Sequence, residues 1–210
     1  MPNNSYRTII HYHAKEGMEK KLISLNEKQL MNPSKSGVLY QKELWQDQSD
    51  PSHLIFSAVF KSEKEAKDFQ PNLKEIKSQV MQFCNEDVHD DLQQIVQTYP
   101  SQSHQKDCYH VLVQCQAKPG MEQQLRSQTE QVIFNAAQKD TFHQAEVLQS
   151  PSSPNLITLS GTCKTLEDVK NFQLNWEAHK EELISFCSQE PHQETYYINK
   201  KYPDQTQKVA

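Results

Sequence analysis

Short β-branched runs alternate along the chain with stretches in which apolar residues return every third or fourth position. Thr8 to His13 (TIIHYH) and Val111 to Gln116 (VLVQCQ) read as strands, each running into a Lys-x-Gly turn. Met18, Leu22, Leu25 and Leu30 then fall at helical spacing until Asn32-Pro33 stops the helix. No such proline follows Met121, so the corresponding helix there is predicted to run further. Gly37 to Gln46 and His53 to Phe60 are strand-like, and the turn-rich Asp47 to Ser52 (DQSDPS) suits a hairpin. Glu63 to Cys84 is helical in pattern. Because Pro71 cannot donate to the helical ladder, a break is expected near Gln70-Pro71. Leu92 to Tyr99 is a last short strand, giving the order β-α-β-β-α-β.

The same order is then repeated. Slid against itself by about 103 residues, the chain matches at roughly 28 of about 95 positions without a gap. Ala14-Lys15-Glu16-Gly17-Met18-Glu19 lies over Ala117-Lys118-Pro119-Gly120-Met121-Glu122. Gln41-x-Glu43 lies over Gln144-x-Glu146, Lys67-x-Phe69-Gln70 over Lys170-x-Phe172-Gln173, and Phe83-Cys84 over Phe186-Cys187. This is the signature of a tandem duplication, with repeats at 1–100 and 108–203, a polar linker at 101–107 and a loose tail at 204–210.

Composition narrows the function classes. Among 210 residues, 35% are hydrophobic, and the mean hydropathy of -0.85 predicts small cores in a soluble, cytoplasmic protein. No apolar run reaches the roughly 18 residues that cross a bilayer. Five cysteines without paired spacing point to reduced thiols. A net charge of -5 with no basic cluster argues against nucleic acid and anionic membranes as partners. Four glycines leave nothing from which to build a phosphate-cradling loop or a dinucleotide fingerprint.

The expected fold class is α+β. Each β-α-β-β-α-β repeat closes into a ferredoxin-like antiparallel sheet with both helices on one face. The other face must be covered, and a second repeat in the same chain can cover it, sheet to sheet, as an intramolecular dimeric α/β barrel. A monomeric pseudo-dimer is therefore expected. A half ending near Tyr99 is expected to be insoluble or self-pairing, on the premise that the uncovered face is apolar.

The element order and the Lys-x-Gly-Met turn resemble the antibiotic biosynthesis monooxygenase (ABM) family of dimeric α/β-barrel proteins, over nearly all of both repeats. The resemblance implies a cavity inside each unit, between sheet and helices. Its members include monooxygenases, haem-degrading enzymes and proteins of unknown role. In the haem-degrading branch a first-strand Asn works with a Trp and a His on the second helix. Here the Asn position falls at Ile10 and Val113, which cannot hydrogen-bond an oxygen intermediate. The Trp position falls near Phe69 and Phe172, while Trp176-Glu177-Ala178-His179-Lys180 resembles the family's aromatic, two residues, His-Lys ending. Phe172, Trp176 and His179 are thus candidate ligand-binding residues, with His179 the candidate catalytic group. Haem is the cofactor the resemblance brings into question.

Periodicity places His179 independently of any relative. Leu73, Ile76, Val80 and Phe83 form one apolar stripe, and Trp176, His179, Leu183 and Phe186 form its counterpart. One imidazole therefore points inward where its twin has Ile76. A neutral imidazole there suits haem iron or a small aromatic ligand, and equally a core histidine satisfied by a backbone carbonyl. His11 and His13 share a strand face at chelating distance, but with Gln114 and Gln116 as counterparts and no third ligand in view they read as a solvated polar face. His104, Cys108 and His110 lack the paired cysteines of a zinc site, so no metal site is assigned. Gln41 with Glu43, and Gln144 with Glu146, are expected to be buried and to pair across the pseudo-dyad. Cys84 and Cys187 are expected to be inert core thiols.

Two function classes follow. One is a cofactor-independent monooxygenase or haem-handling protein that acts on a flat hydrophobic molecule in the second repeat. The other is a non-catalytic barrel that binds a small molecule or a protein partner.

Overall fold

The computed structural model describes residues 5–30, 39–99, 109–139 and 141–202. The expected linker and tail, and with them His104 and Cys108, lie outside these residues, as does the Asn32-Pro33 stop. The elements are β1 (Tyr6–His13), α1 (Glu19–Leu30), β2 (Leu39–Asp47), β3 (His53–Phe60), α2 (Glu63–Met81), β4 (His89–Tyr99), β5 (Tyr109–Gln116), α3 (Glu122–Gln138), β6 (Gln144–Gln149), β7 (Leu156–Cys163), α4 (Leu166–Phe186) and β8 (His192–Tyr202). The eight strands form a closed antiparallel barrel in the order β1-β3-β2-β8-β5-β7-β6-β4. Contacts group the chain into two compact units, one from Gln93 to Tyr196, the other up to Leu92 together with residues from Tyr197 on.

In the first-half unit β3 is central, pairing with β1 from Tyr6↔Phe60 to His13↔His53 and with β2 from Leu39↔Phe60 to Gln46↔Leu54. A strand paired on both edges and covered on both faces has no solvated side. All eight residues of β3 are accordingly buried. Ile10 and Tyr12 of β1 and Leu54, Phe56 and Phe60 of β3 pack with Phe69, Leu73, Ile76 and Val80 of α2 as one core. In the second-half unit Val111, Val113 and Cys115 of β5, Ile157 and Leu159 of β7, and Phe172, Trp176 and Leu183 of α4 do the same. At about 1.5 to 3 kcal/mol per large apolar side chain taken from water, these two stripes are the main force holding each helix to its sheet.

Two glycines let each first strand turn into its helix. Gly17 and Gly120 stand at φ 76° and 81°, the left-handed region in which a Cβ is costly. The Lys-x-Gly repetition thus has a backbone cause.

The expected break at Pro71 is absent, and α2 runs unbroken from Glu63 to Met81 with Pro71 inside. Proline removes a single backbone bond, and Pro71 sits on the exposed face where water can meet the freed carbonyl. The buried anchors Phe69 and Leu73 on either side hold both turns to one core, and Ser62 caps the start by accepting from the Glu65 N–H at 3.2 Å. The helix stops short of Cys84, which instead bridges Ala14, as Cys187 bridges Ala117. Within the described residues α3 spans 17 residues from Glu122 to Gln138, and α1 is described as far as Leu30.

Candidate functional site

In the second-half unit, α4 carries the three residues singled out from sequence. Thr165 and Asp168 form a reciprocal capping box that fixes where α4 begins. Its buried face then follows from spacing: Val169, Phe172, Trp176 and Leu183. Phe172 is fully buried and Trp176 is 3% exposed, their ring centroids 6.3 Å apart. Phe142, just before β6, adds a third ring 4.8 Å from Phe172. The Phe142 ring lies flat over Gly161 of β7, so close that a Cβ at Gly161 would stand 2.5 Å from it. A glycine at 161 therefore makes a flat seat, and the molecule fills it with its own phenyl group. Nothing in the sequence pattern pointed to this seat, although a lone Gly inside a strand signals close approach.

His179 is half-buried on the same helix, and its Nδ1–H donates to the Asn175 carbonyl at 2.8 Å. With Nδ1 so engaged, Nε2 is left as the acceptor nitrogen. Phe172, Trp176 and His179 thus share one helix face, with the two aromatics in the core and the imidazole at its margin. The Asn positions of the resemblance, Ile10 and Val113, are fully buried and apolar.

Haem can be tested against these residues. An imidazole held by Nδ1 with a basic Nε2 is a fitting axial donor. The space beside it is not: Phe142, Phe172 and Trp176 already occupy it in mutual contact. As arranged, the residues do not fit haem.

The opposite sheet face of the first-half unit is mixed rather than wholly apolar: buried Ile9, Trp45, Ile55 and Val59 lie among Arg7, Gln41, Glu43 and Ser57. The Arg7 Nη1 donates to Ser57 Oγ at 2.7 Å and lies 3.8 Å from Glu43 Oε2. Glu43 accepts from the Gln41 amide at 2.7 Å and from the Trp45 indole N–H at 3.0 Å, and the guanidinium stands 6.0 Å above the Trp45 ring. Gln144 likewise donates to Glu146 at 3.0 Å, and His110 pairs with Ser160 at 2.9 Å. Gln41, Glu43 and Glu146 are buried as expected and Gln144 is half-buried, and both pairs are joined by Gln-to-Glu bonds. These bonds run along one strand, because i and i+2 point to the same side.

Further along that face, His11 and His13 are half-buried rather than solvated. The missing third ring is His53 of β3, 6% exposed. Its Nε2 lies 3.1 Å from His11 Nδ1, and it stacks on His13 at 4.4 Å with 6° between the planes. Asp47, one turn away, presents Oδ2 at 3.7 Å from His53 Nδ1. His13 lies opposite His53 in the β1–β3 pairing, a register that the β2–β3 hairpin read from sequence does not fix.

The four cysteines among the described residues are buried free thiols. Cys84 and Cys187 each donate to a helix carbonyl four residues back. Contact with Cys187, together with burial, pushes the Cys115 thiol up. No helix among the described residues is long and apolar enough to cross a membrane.

By sequence, no family model and no curated protein matches this chain. By structure, relatives are plain. A candidate monooxygenase of Fusobacterium nucleatum superposes with a TM-score of 0.80 at 10% identity, covering 96% of this chain and 95% of that one. An anthrone oxidase-like protein gives 0.73 at 8% identity over 95% and 93%. A chlorite dismutase variant of Candidatus Nitrospira defluvii, solved with cyanide, gives 0.64 at 13% identity over 95% and 92%. At such identities the likeness is one of fold, and it extends over the whole length of each chain: this protein has the α+β, eight-stranded barrel fold found among monooxygenase-like and chlorite dismutase-like proteins.

Proposed function

We propose that the protein is a monooxygenase-like barrel that takes a small, flat aromatic molecule into the seat over Gly161, with Phe172 and Trp176 as its wall and His179 as the polar group it meets. The carrying observation is the Phe142 ring, a benzene-sized stand-in already bound face-on to the glycine strand. A ligand of one or two rings would displace Phe142 and gain the same contacts. His179 Nε2 would accept the hydrogen of a phenolic hydroxyl, its ring aimed by the Nδ1 bond to Asn175. Haem is left out of this reading because Phe142, Phe172 and Trp176 fill the space that a porphyrin would need. The fold shared with a candidate monooxygenase and an anthrone oxidase-like protein supports oxygen chemistry on such a ring.

Fluorescence quenching of the protein by a naphthol tests the seat, and dioxygen uptake tests the chemistry. Phe142→Ala should bind more tightly by vacating the seat, and His179→Ile should bind more weakly. Equal affinity in all three proteins would refute the reading. A second reading, binding without catalysis, is favoured by one feature: Ile10 and Val113 offer no hydrogen bond to reduced oxygen. Tight binding without dioxygen uptake would select it.

The same proposal includes duplication. Two passes of β-α-β-β-α-β, with a glycine at matching turns, support a monomer that serves as its own dimer. Light scattering at the monomer mass of 24.4 kDa is the expected result.

A further inference from the structure

We infer that His11 and His53 form a binding site for a late first-row divalent cation, zinc or copper, oriented by Asp47. Two nitrogens that each sit about 2.0 to 2.1 Å from a tetrahedral zinc ion lie roughly 3.3 Å apart. His11 Nδ1 and His53 Nε2 are 3.1 Å apart, so a cation can replace the hydrogen bond between them once each ring turns to aim its lone pair at the ion.

What surrounds the pair is built as the support of a metal ligand is built. The other nitrogen of His53 lies 3.7 Å from Asp47 Oδ2, where a carboxylate can orient a ligating ring once the two close to hydrogen-bonding distance. Asp47 is itself held: its Oδ1 accepts from the Ser49 N–H, the Ser49 hydroxyl and the Asp50 N–H at 2.6, 2.7 and 3.1 Å. Those bonds leave Oδ2 to the histidine. His13, flat against His53, restrains the ring from the other side. The antiparallel pairing of β1 with β3 sets His11 diagonal to His53, and the β2–β3 turn brings Asp47 to them. Imidazole donors with a carboxylate behind them suit zinc and copper rather than magnesium or calcium. Two imidazole donors leave further coordination positions to be filled.

The second half has no such group. At the same offset of about 103 residues, Gln114, Leu156, Ser150 and Gln116 stand for His11, His53, Asp47 and His13. The chain therefore supplies its own variants. Titrating the whole protein calorimetrically with zinc ion alone, and then with copper ion alone, should show one equivalent bound. His11→Gln and His53→Leu should each weaken binding at least tenfold, and Asp47→Asn about tenfold, the usual effect of removing an outer carboxylate. His11→Gln changes a half-buried residue, so it keeps the test valid if His53→Leu folds poorly. Absence of binding by the wild type, or the same isotherm in wild type and His11→Gln, would overturn the assignment.

Discussion

The two sheet faces that carry Gln-x-Glu are alike in frame and different in charge. In both, the glutamate lies opposite a serine of the neighbouring strand, Glu43↔Ser57 and Glu146↔Ser160, and takes a glutamine amide from two residues back. In the first half the serine's other partner is Arg7 and the strand continues with Trp45; in the second they are His110 and Leu148. One scaffold has thus been filled once with a charged, indole-capped network and once with a lighter, neutral-capable one. What stays constant is the part that satisfies the buried carboxylate, and what varies is the group that meets the serine. Buried carboxylates enforce this, since each needs its lone pairs occupied whatever else changes.

The largest effect should come from breaking the charged version. Arg7→Met leaves Glu43 buried without its guanidinium and should cost about 3 kcal/mol. His110→Met, the matched change in the second half, should cost about 1 kcal/mol, since its bond to Ser160 joins two groups that can both be neutral. Paired urea melts would read the difference; equal costs would mean that Arg7 contributes through packing alone.

Next in size, Gln41→Ala should cost about 1 to 3 kcal/mol by removing a buried donor to Glu43. Gln144→Ala should cost less, because Gln144 is half-buried and water can replace it. A reversed order would show that the second-half network is the tighter one.

Lys42 sharpens the contrast by pH. It is 1% exposed, burial holds its amine down to about 8, and its counterpart is Ala145. Because the unfolded amine keeps its proton to about 10.5, the unfolded state binds more protons between these values, and wild-type stability should rise with pH there. Lys42→Met should therefore be more stable than wild type at neutral pH, by a margin that shrinks from about pH 8 toward 10.5. A margin independent of pH would show that the amine is not desolvated.

The smallest effect is expected at His179. Replacing it with isoleucine, the first-half residue, should change stability by less than about 0.5 kcal/mol, since its Nδ1 bond is made to its own helix. A large loss of stability would make His179 structural.

Much of this architecture was legible in the chain. Alternation and helical spacing place every element because each is covered on a predictable face, and β3 begins and ends at His53 and Phe60 as read. The reading of Pro71 as a break failed for a tertiary reason: the cost of one missing backbone bond is local, while the anchors on either side are shared with a whole sheet. The site was less legible. Phe172, Trp176 and His179 follow from periodicity, but Phe142 reaches its seat from outside any element, and only Gly161 hinted at it. The cluster of His11, His13 and His53 was half seen, because a strand shows its own alternate residues and not those brought opposite by the register. The mixed character of the sheet face is in view in Arg7, Glu43 and Ser57 beside Ile9, Ile55 and Val59, since a covered face need not be an apolar one.

The pairing of β4 with β6 bears on how the chain is made. Tyr99 lies opposite Ala145 and Gln94 opposite Gln149, so β4 is synthesised well before the strand it joins. At about 5 to 20 residues per second, the intervening stretch of about 50 residues keeps that edge without β6 for roughly 3 to 10 s on the ribosome. A bare edge invites pairing with any neighbouring nascent chain. The sequence there, Gln93-Gln94-Ile95-Val96-Gln97-Thr98, flanks its two adjacent apolar residues with amides and a hydroxyl. Such a composition should make the waiting strand a poorer template for apolar association, in addition to whatever the buried Gln93 contributes to the finished fold.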